Sequence, residues 1–234
     1  MSAKDTERRF TRGLVEVRAD GEEQAPHMRV GGYAAKFNAL SQNLGGFVER
    51  IDPSFFAKSE GDGWPDVMAR YNHSDDYLLG TTTGGTLRLT VDGTGLDYQV
   101  DVPQTRADVY ELVQRGDVSK SSFAFVTFDE DWAMTDQGFP LRTLLSGRLV
   151  DVAPVNTPAY TDTSTGLRSL ADKVGADLAE VRSAAADGEL KKFFAPKPAV
   201  IDVKTQPTVR QGDPHLTLRL RQMRAELEAK RIAL

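Results

Sequence analysis

The stretch Ser121-Ser122-Phe123-Ala124-Phe125-Val126-Thr127-Phe128-Asp129 decides how this chain is read. It is rich in aromatic and β-branched residues and ends in an acidic residue, which predicts a strand over 121–129. Alternation along a strand places Phe123 and Phe125 on one face together with Ser121, and Ser122 with Ala124 on the other. The aromatic face anchors a core, and the small-residue face is expected to stay open.

Working outward, the same chemistry recurs. Residues 14–18, 28–37, 47–51, 67–71, 86–91, 96–102 and 141–155 are short runs bounded by Gly, Asn and Asp-Gly, and they predict further strands. Asp92-Gly93-Thr94-Gly95 joins two of them as a hairpin. Asp52-Pro53 offers an N-cap and an N1 proline to a short helix through Phe55, Phe56 and Ala57. The spacing of Val109, Leu112 and Val113 predicts an amphipathic helix within 104–116, closed by Gly116. The body of the chain is therefore mainly β with peripheral helices, an α+β class.

After Tyr160 the composition changes. Residues 161–166 read as a polar loop, and 167–194 as an alanine-rich helical stretch broken near Asp187-Gly188. Ala195-Pro196-Lys197-Pro198 opens a proline-bearing linker. Beyond it Leu218, Met223, Leu227 and Ile232 stand among many charged residues, the pattern of an exposed or partner-dependent helix. The expected organisation is a β domain over 1–165, a helical extension over 166–194, a flexible linker over 195–214 and a charged helix over 215–234.

Composition narrows the function. A chain of 234 residues with 40% hydrophobic content can build a sizeable core. With no cysteine there is no disulfide, no thiolate metal site and no thiol nucleophile, in agreement with a reducing compartment. The three histidines lie far apart, with no His-Glu-x-x-His and no phosphate-cradling glycine loop, so no metal or other cofactor is expected. The net charge of −5 is mild and the basic residues are interleaved with acidic ones, which argues against a nucleic-acid partner. The charged N-terminus leads into no apolar h-region and no apolar run reaches membrane-spanning length, so a soluble, unexported protein is expected.

Few routes to hydrolysis remain. Acyl transfer by serine needs a base within hydrogen-bond reach and a third group that fixes the base's tautomer. His27 follows Pro26 at a strand start and His215 lies beyond the linker, which leaves His73, in Tyr71-Asn72-His73-Ser74, as the base candidate. The bland alternative is a strand-end histidine with no chemistry. Ser122 is the favoured nucleophile. Ser121 points with the phenylalanines, Ser119 belongs to the turn after Gly116-Asp117, and Ser74 is a further rival. Leu149-Val150-Asp151-Val152-Ala153-Pro154-Val155 is an apolar strand interrupted by one carboxylate, which needs either a solvated face or a partner. Asp151 is therefore either the group that orients His73 or an edge-strand charge that discourages sheet association.

Four ordered segments resemble one family. These are Phe47-Val48-Glu49-Arg50-Ile51-Asp52-Pro53-Ser54-Phe55-Phe56, His73, the run from Gly116 to Phe125, and the run from Asp151 to Tyr160. Together they resemble the prohead maturation proteases of tailed phages, distant relatives of the herpesvirus assemblins, over about residues 13–160. The resemblance implies a closed or nearly closed β-barrel and a serine endopeptidase, with Ser122 as nucleophile, His73 as general base and Asp151 as orienting acid. Two departures stand out. Met-Ser-Phe-Gly-Phe is usual at the nucleophile where this chain has Ser121 and Ala124 as neighbours, and Glu is usual where it has Asp151.

The implied substrates are the major capsid protein with its scaffold segment, and the protease itself, cut inside the assembling procapsid in the host cytoplasm. Self-association is a further implied possibility, and Arg142 or Arg148 are candidates to join backbone N–H groups in an oxyanion hole. The charged C-terminal helix suggests a scaffolding or encapsidation tail, released by cleavage within 195–214. Two competing classes are an inert capsid-assembly or scaffold-binding protein that has kept the barrel, and a small β-barrel hydrolase acting on esters.

Overall fold

The computed structural model describes residues 6–18, 28–156, 164–195 and 222–223. Among the described residues nine strands form one sheet: β1 (Glu7–Val17), β2 (Arg29–Lys36), β3 (Val48–Ile51), β4 (Met68–Arg70), β5 (Leu78–Thr81), β6 (Leu87–Val91), β7 (Gly95–Asp101), β8 (Lys120–Met134) and β9 (Pro140–Val155). Their order is β5-β4-β9-β8-β1-β2-β7-β6, with β3 added in parallel to the first part of β9. The end strands β5 and β6 are joined by a tight turn in which the Thr86 amide donates to the Thr81 carbonyl at 3.2 Å. Gly80 of β5 lies against the Val100 side chain of β7, so the sheet curls into a nearly closed barrel.

The core follows from the alternation in β8. Phe123 and Phe125 are fully buried and stack at 5.0 Å, and Phe55 and Phe56, from the turn before α1 (Ala57–Gly61), meet them edge-on. Such edge-to-face contacts add to the area term of aromatic burial. Helix α2 (Ala107–Gln114) buries Val109 and Val113 against the same core and ends at Gly116, whose φ of 82° is the left-handed closure that glycine adopts freely.

The Asp92-Gly93-Thr94-Gly95 hairpin forms as its sequence predicts and is closed by the aspartate side chain. Asp92 Oδ1 accepts from the Thr94 and Gly95 amides at 2.7 and 3.0 Å, an Asx turn. Gly95 is required for space, because a Cβ there would lie 2.0 Å from the Ala35 carbonyl oxygen of the neighbouring strand. Gly95→Ala should therefore destabilise the barrel by about 1–3 kcal/mol, seen as a lower midpoint in thermal unfolding followed by circular dichroism.

Two further helices, α3 (Ser164–Val174) and α4 (Leu178–Ala186), build a second core. Leu167, Leu170, Val181 and Leu190 pack with Leu44, Phe47 and Trp132 of the barrel, with Phe47 and Trp132 at 5.0 Å. Asp177 caps α4 by accepting from the Ala179 amide at 2.8 Å. Helix α3 begins inside the segment read as a polar loop. The chain separates into two compact units, 1–195 and 196–234. Of the second, only the exposed helical residues Gln222 and Met223 are described, so the linker and nearly all of the charged helix fall outside the described residues. No described helix is long and apolar enough to cross a membrane.

Candidate active site

Two strand registers bring the candidate residues together. In the antiparallel β8–β9 pair Ser122 faces Ala153 and Ala124 faces Asp151, so Ser122 and Asp151 are diagonal neighbours on one face. Strand β4 runs parallel on the other side of β9, pairing Met68 with Asp151 and Ala69 with Val152. Its chain then leaves through a single 3-10 turn, Tyr71–His73, that drops His73 between the two. The imidazole bridges the diagonal: Nε2 lies 2.7 Å from Ser122 Oγ, and Nδ1 lies 2.5 Å from Asp151 Oδ1.

The turn that achieves this is strained. Asn72 and His73 both adopt left-handed backbone conformations, with φ of 53° and 56°. Asparagine tolerates that region and histidine does so less readily, at a cost of order 1–3 kcal/mol per residue that the surroundings must offset. Part of the offset is visible in Asn72 Oδ1, which accepts the Asn156 amide at 3.1 Å and ties the turn to the end of β9.

Asp151 is 1% exposed, and its carboxylate is satisfied on both sides. Oδ1 meets His73, and Oδ2 accepts from Arg70 Nη1 at 3.1 Å. Arg70 also reaches Asp75 at 3.0 Å. A buried carboxylate with a guanidinium and an imidazole as partners is the paired case that makes burial of a charge tolerable. Arg70 and Asn72 were missed from sequence. The one usable signal was an asparagine beside the candidate histidine, a residue type at home in left-handed turns.

The two adjacent serines separate cleanly. Ser121 Oγ lies 3.3 Å from the hydroxyl of Tyr98 in the core, where burial pushes the Tyr98 phenol well above its usual range. Ser122 is on the other face with His73, as alternation predicts. That face is closed, however, contrary to the expectation of an open small-residue surface. Ser122 and Ala124 are 0% and 1% exposed, and Ser122 Oγ donates to the Arg9 carbonyl of β1 at 2.8 Å. The sequence reading started the first strand at residue 14 and so missed the part that pairs with β8 from Glu7 to Thr11.

Neither candidate arginine is positioned as an oxyanion donor. Arg142 is fully buried in an ion cluster with Glu7 (2.6 Å), Glu49 (2.9 Å) and Glu130. Arg148 is exposed and paired with Val126, beyond Phe125 on β8. His27 and His215 lie outside the described residues.

A hydroxyl, an imidazole and a carboxylate bonded in that order form the arrangement used by serine hydrolases for acyl transfer. The family comparison agrees in class: residues 14–174 match the model of the caudovirus prohead serine proteases, and the chain belongs to that family. It is thus a serine peptidase of the tailed-phage prohead on the assemblin-like barrel described above. The match begins at Leu14, just after residues 7–13 of β1. No curated protein and no solved structure matches the chain.

Proposed function

We propose that this chain is the endopeptidase that trims the cognate major capsid protein and its scaffold segment, and itself, inside the procapsid, with Ser122 as nucleophile, His73 as general base and Asp151 as the orienting acid. The observation that carries the reading is the continuous Ser122–His73–Asp151 relay at 2.7 and 2.5 Å in a chain of the prohead protease family. Ser122 Oγ attacks the peptide carbonyl carbon as its proton passes to His73 Nε2. Asp151 stabilises the imidazolium, the amine leaves with that proton, and water repeats the cycle on the acyl-enzyme. Arg70 acts as a positioning residue by holding the second oxygen of Asp151. The charged C-terminal helix is assigned, from composition alone, as a tail that retains the protease in the immature shell.

The test is co-expression with the cognate capsid protein, read by intact mass spectrometry. Wild type is expected to shorten the capsid protein and to release its own C-terminal segment within 195–214; full-length chains from an assembling system would overturn the assignment. Asp151→Asn keeps the shape of the side chain but allows the wrong imidazole tautomer. Its turnover should fall by about 10³–10⁴, and its thermal midpoint should fall too, because Arg70 and His73 lose the charge of their buried partner.

A further inference from the structure

We infer that residues Glu7 to Phe10 are a pseudosubstrate strand, occupying the edge of β8 to which an extended polypeptide substrate adds and which they must vacate before cleavage. The inference rests on the reading of Ser122 as nucleophile. A peptide must reach that hydroxyl, yet Ser122 has no exposed surface, and Phe10 stands opposite it in the β1–β8 ladder. The occupant is itself an extended polypeptide, bonded to β8 by the main-chain ladder that strand addition uses.

Proton counting shows what this does to the relay. A carbonyl oxygen has no hydrogen to give, so the 2.8 Å contact with Arg9 uses the one hydrogen of the Ser122 hydroxyl. The 2.7 Å contact is then donated by His73 Nε2–H. In that arrangement the imidazole has no lone pair facing Ser122. Because Nδ1 faces a carboxylate oxygen and so also carries a hydrogen, the ring in that arrangement is the imidazolium. Attack requires Nε2 to release its proton to solvent and the hydroxyl then to turn its own hydrogen to Nε2, which requires the Arg9 carbonyl to leave. The carbonyl is presented by its oxygen to the proton of Ser122, a bonding mode that blocks the residue without cleaving the Arg9–Phe10 bond.

The described main-chain ties of the strand are confined to β8, and its side chains are held by a buried ion clamp. Among the described residues the ladder partners of 7–11 all lie on β8; β2 pairs with β1 only from Val15, and the register shifts between Thr11 and Leu14. A cavity of about 440 Å³ lined by Arg9, Phe10, Lys36, Leu40 and Phe123 lies beside the strand. The clamp is charge-balanced: Glu7 bonds Arg142, and Arg9 bonds Glu49 at 2.7 and 3.0 Å. Withdrawing the strand removes one carboxylate and one guanidinium, and leaves Arg142 still paired with Glu49 and Glu130.

The test uses full-length protein and reads labelling of Ser122 by a fluorophosphonate probe together with capsid-protein cleavage. The chain has no cysteine, so Arg8→Cys with Ala124→Cys, partners across one register step, creates a single cross-strand tether. Oxidised, this variant should label and cleave at least tenfold more slowly than the same molecules reduced. Arg9→Met, which removes the Glu49 contacts and the guanidinium over the Phe125 ring, should label at least tenfold faster than wild type. Equal rates for the oxidised and reduced tether, or for Arg9→Met and wild type, overturn the pseudosubstrate and leave the protease reading intact. If no form labels or cleaves, the nucleophile assignment falls and the inference falls with it.

Discussion

Ser122→Ala is expected to lower turnover on the capsid protein by about 10⁴–10⁶-fold, which corresponds to about 5–8 kcal/mol of lost transition-state stabilisation. The substitution removes one oxygen from a fully buried site, so the barrel should remain folded. The lost contacts are those to His73 Nε2 and the Arg9 carbonyl, and a single neutral hydrogen bond is worth only about 1 kcal/mol of stability. Ser121→Ala is the matched control, one residue along the same strand. Its hydroxyl touches Tyr98 in the core, so its loss should cost about 1–3 kcal/mol of stability by leaving a buried phenol without that partner, with turnover within a few-fold of wild type. Single-turnover cleavage and thermal unfolding on both variants separate the two effects. A Ser122→Ala protein that still cuts, beside a Ser121→Ala protein that does not, would exchange their roles.

Arg142→Met should give the largest loss of stability, about 3–5 kcal/mol, or a fall in the thermal midpoint of order 10 °C for a domain of this size. Arg142 is fully buried and holds Glu7, Glu49 and Glu130 together. Methionine fills much of the volume but leaves Glu7 and Glu49 to share Arg9, and leaves Glu130 with the neutral donors Trp132 and Ser169. Burial pushes the Glu7 carboxyl up, but the hydrogen bond and charge of Arg142, with the charge of Arg9, more than reverse this and hold it below its ordinary 4.5. A carboxylate depressed in the folded state contributes stability above its unfolded pKa and loses it as pH falls through the folded value. Wild type should therefore shed the Glu7 contribution only below about pH 4.5, whereas Arg142→Met should lose that added stability already at neutral pH. Denaturant midpoints measured across pH test this; a variant as stable as wild type at pH 7 would show that the cluster is not what holds β1, β3, β8 and β9 together.

The parts of this protein legible in sequence were those governed by local periodicity. Phe123, Phe125 and the β-branched runs predicted most strands, because side-chain direction alternates along any extended chain. The same rule separated Ser121 from Ser122. The hairpin at Asp92 to Gly95 was legible too, although Asp92 and the close approach of the Ala35 carbonyl explain it better than glycine flexibility. The short strand β5 was missed because Leu78-Leu79-Gly80-Thr81 is brief and contains a glycine, and its pairing with β4 is a long-range event.

By itself the sequence determined the chemistry available: a cysteine-free chain with one well-placed histidine, a serine opposite a phenylalanine face, and a lone carboxylate in an apolar strand. Only the tertiary structure decided that these meet, because contact between His73, Ser122 and Asp151 depends on a parallel register between β4 and β9 and an antiparallel one between β8 and β9, neither of which is written in local composition. Tertiary structure also decided that Ser122 is covered. A carbonyl reaches it from Arg9, 113 residues away in sequence, and main-chain atoms carry no residue-specific signal from which such a contact could be read.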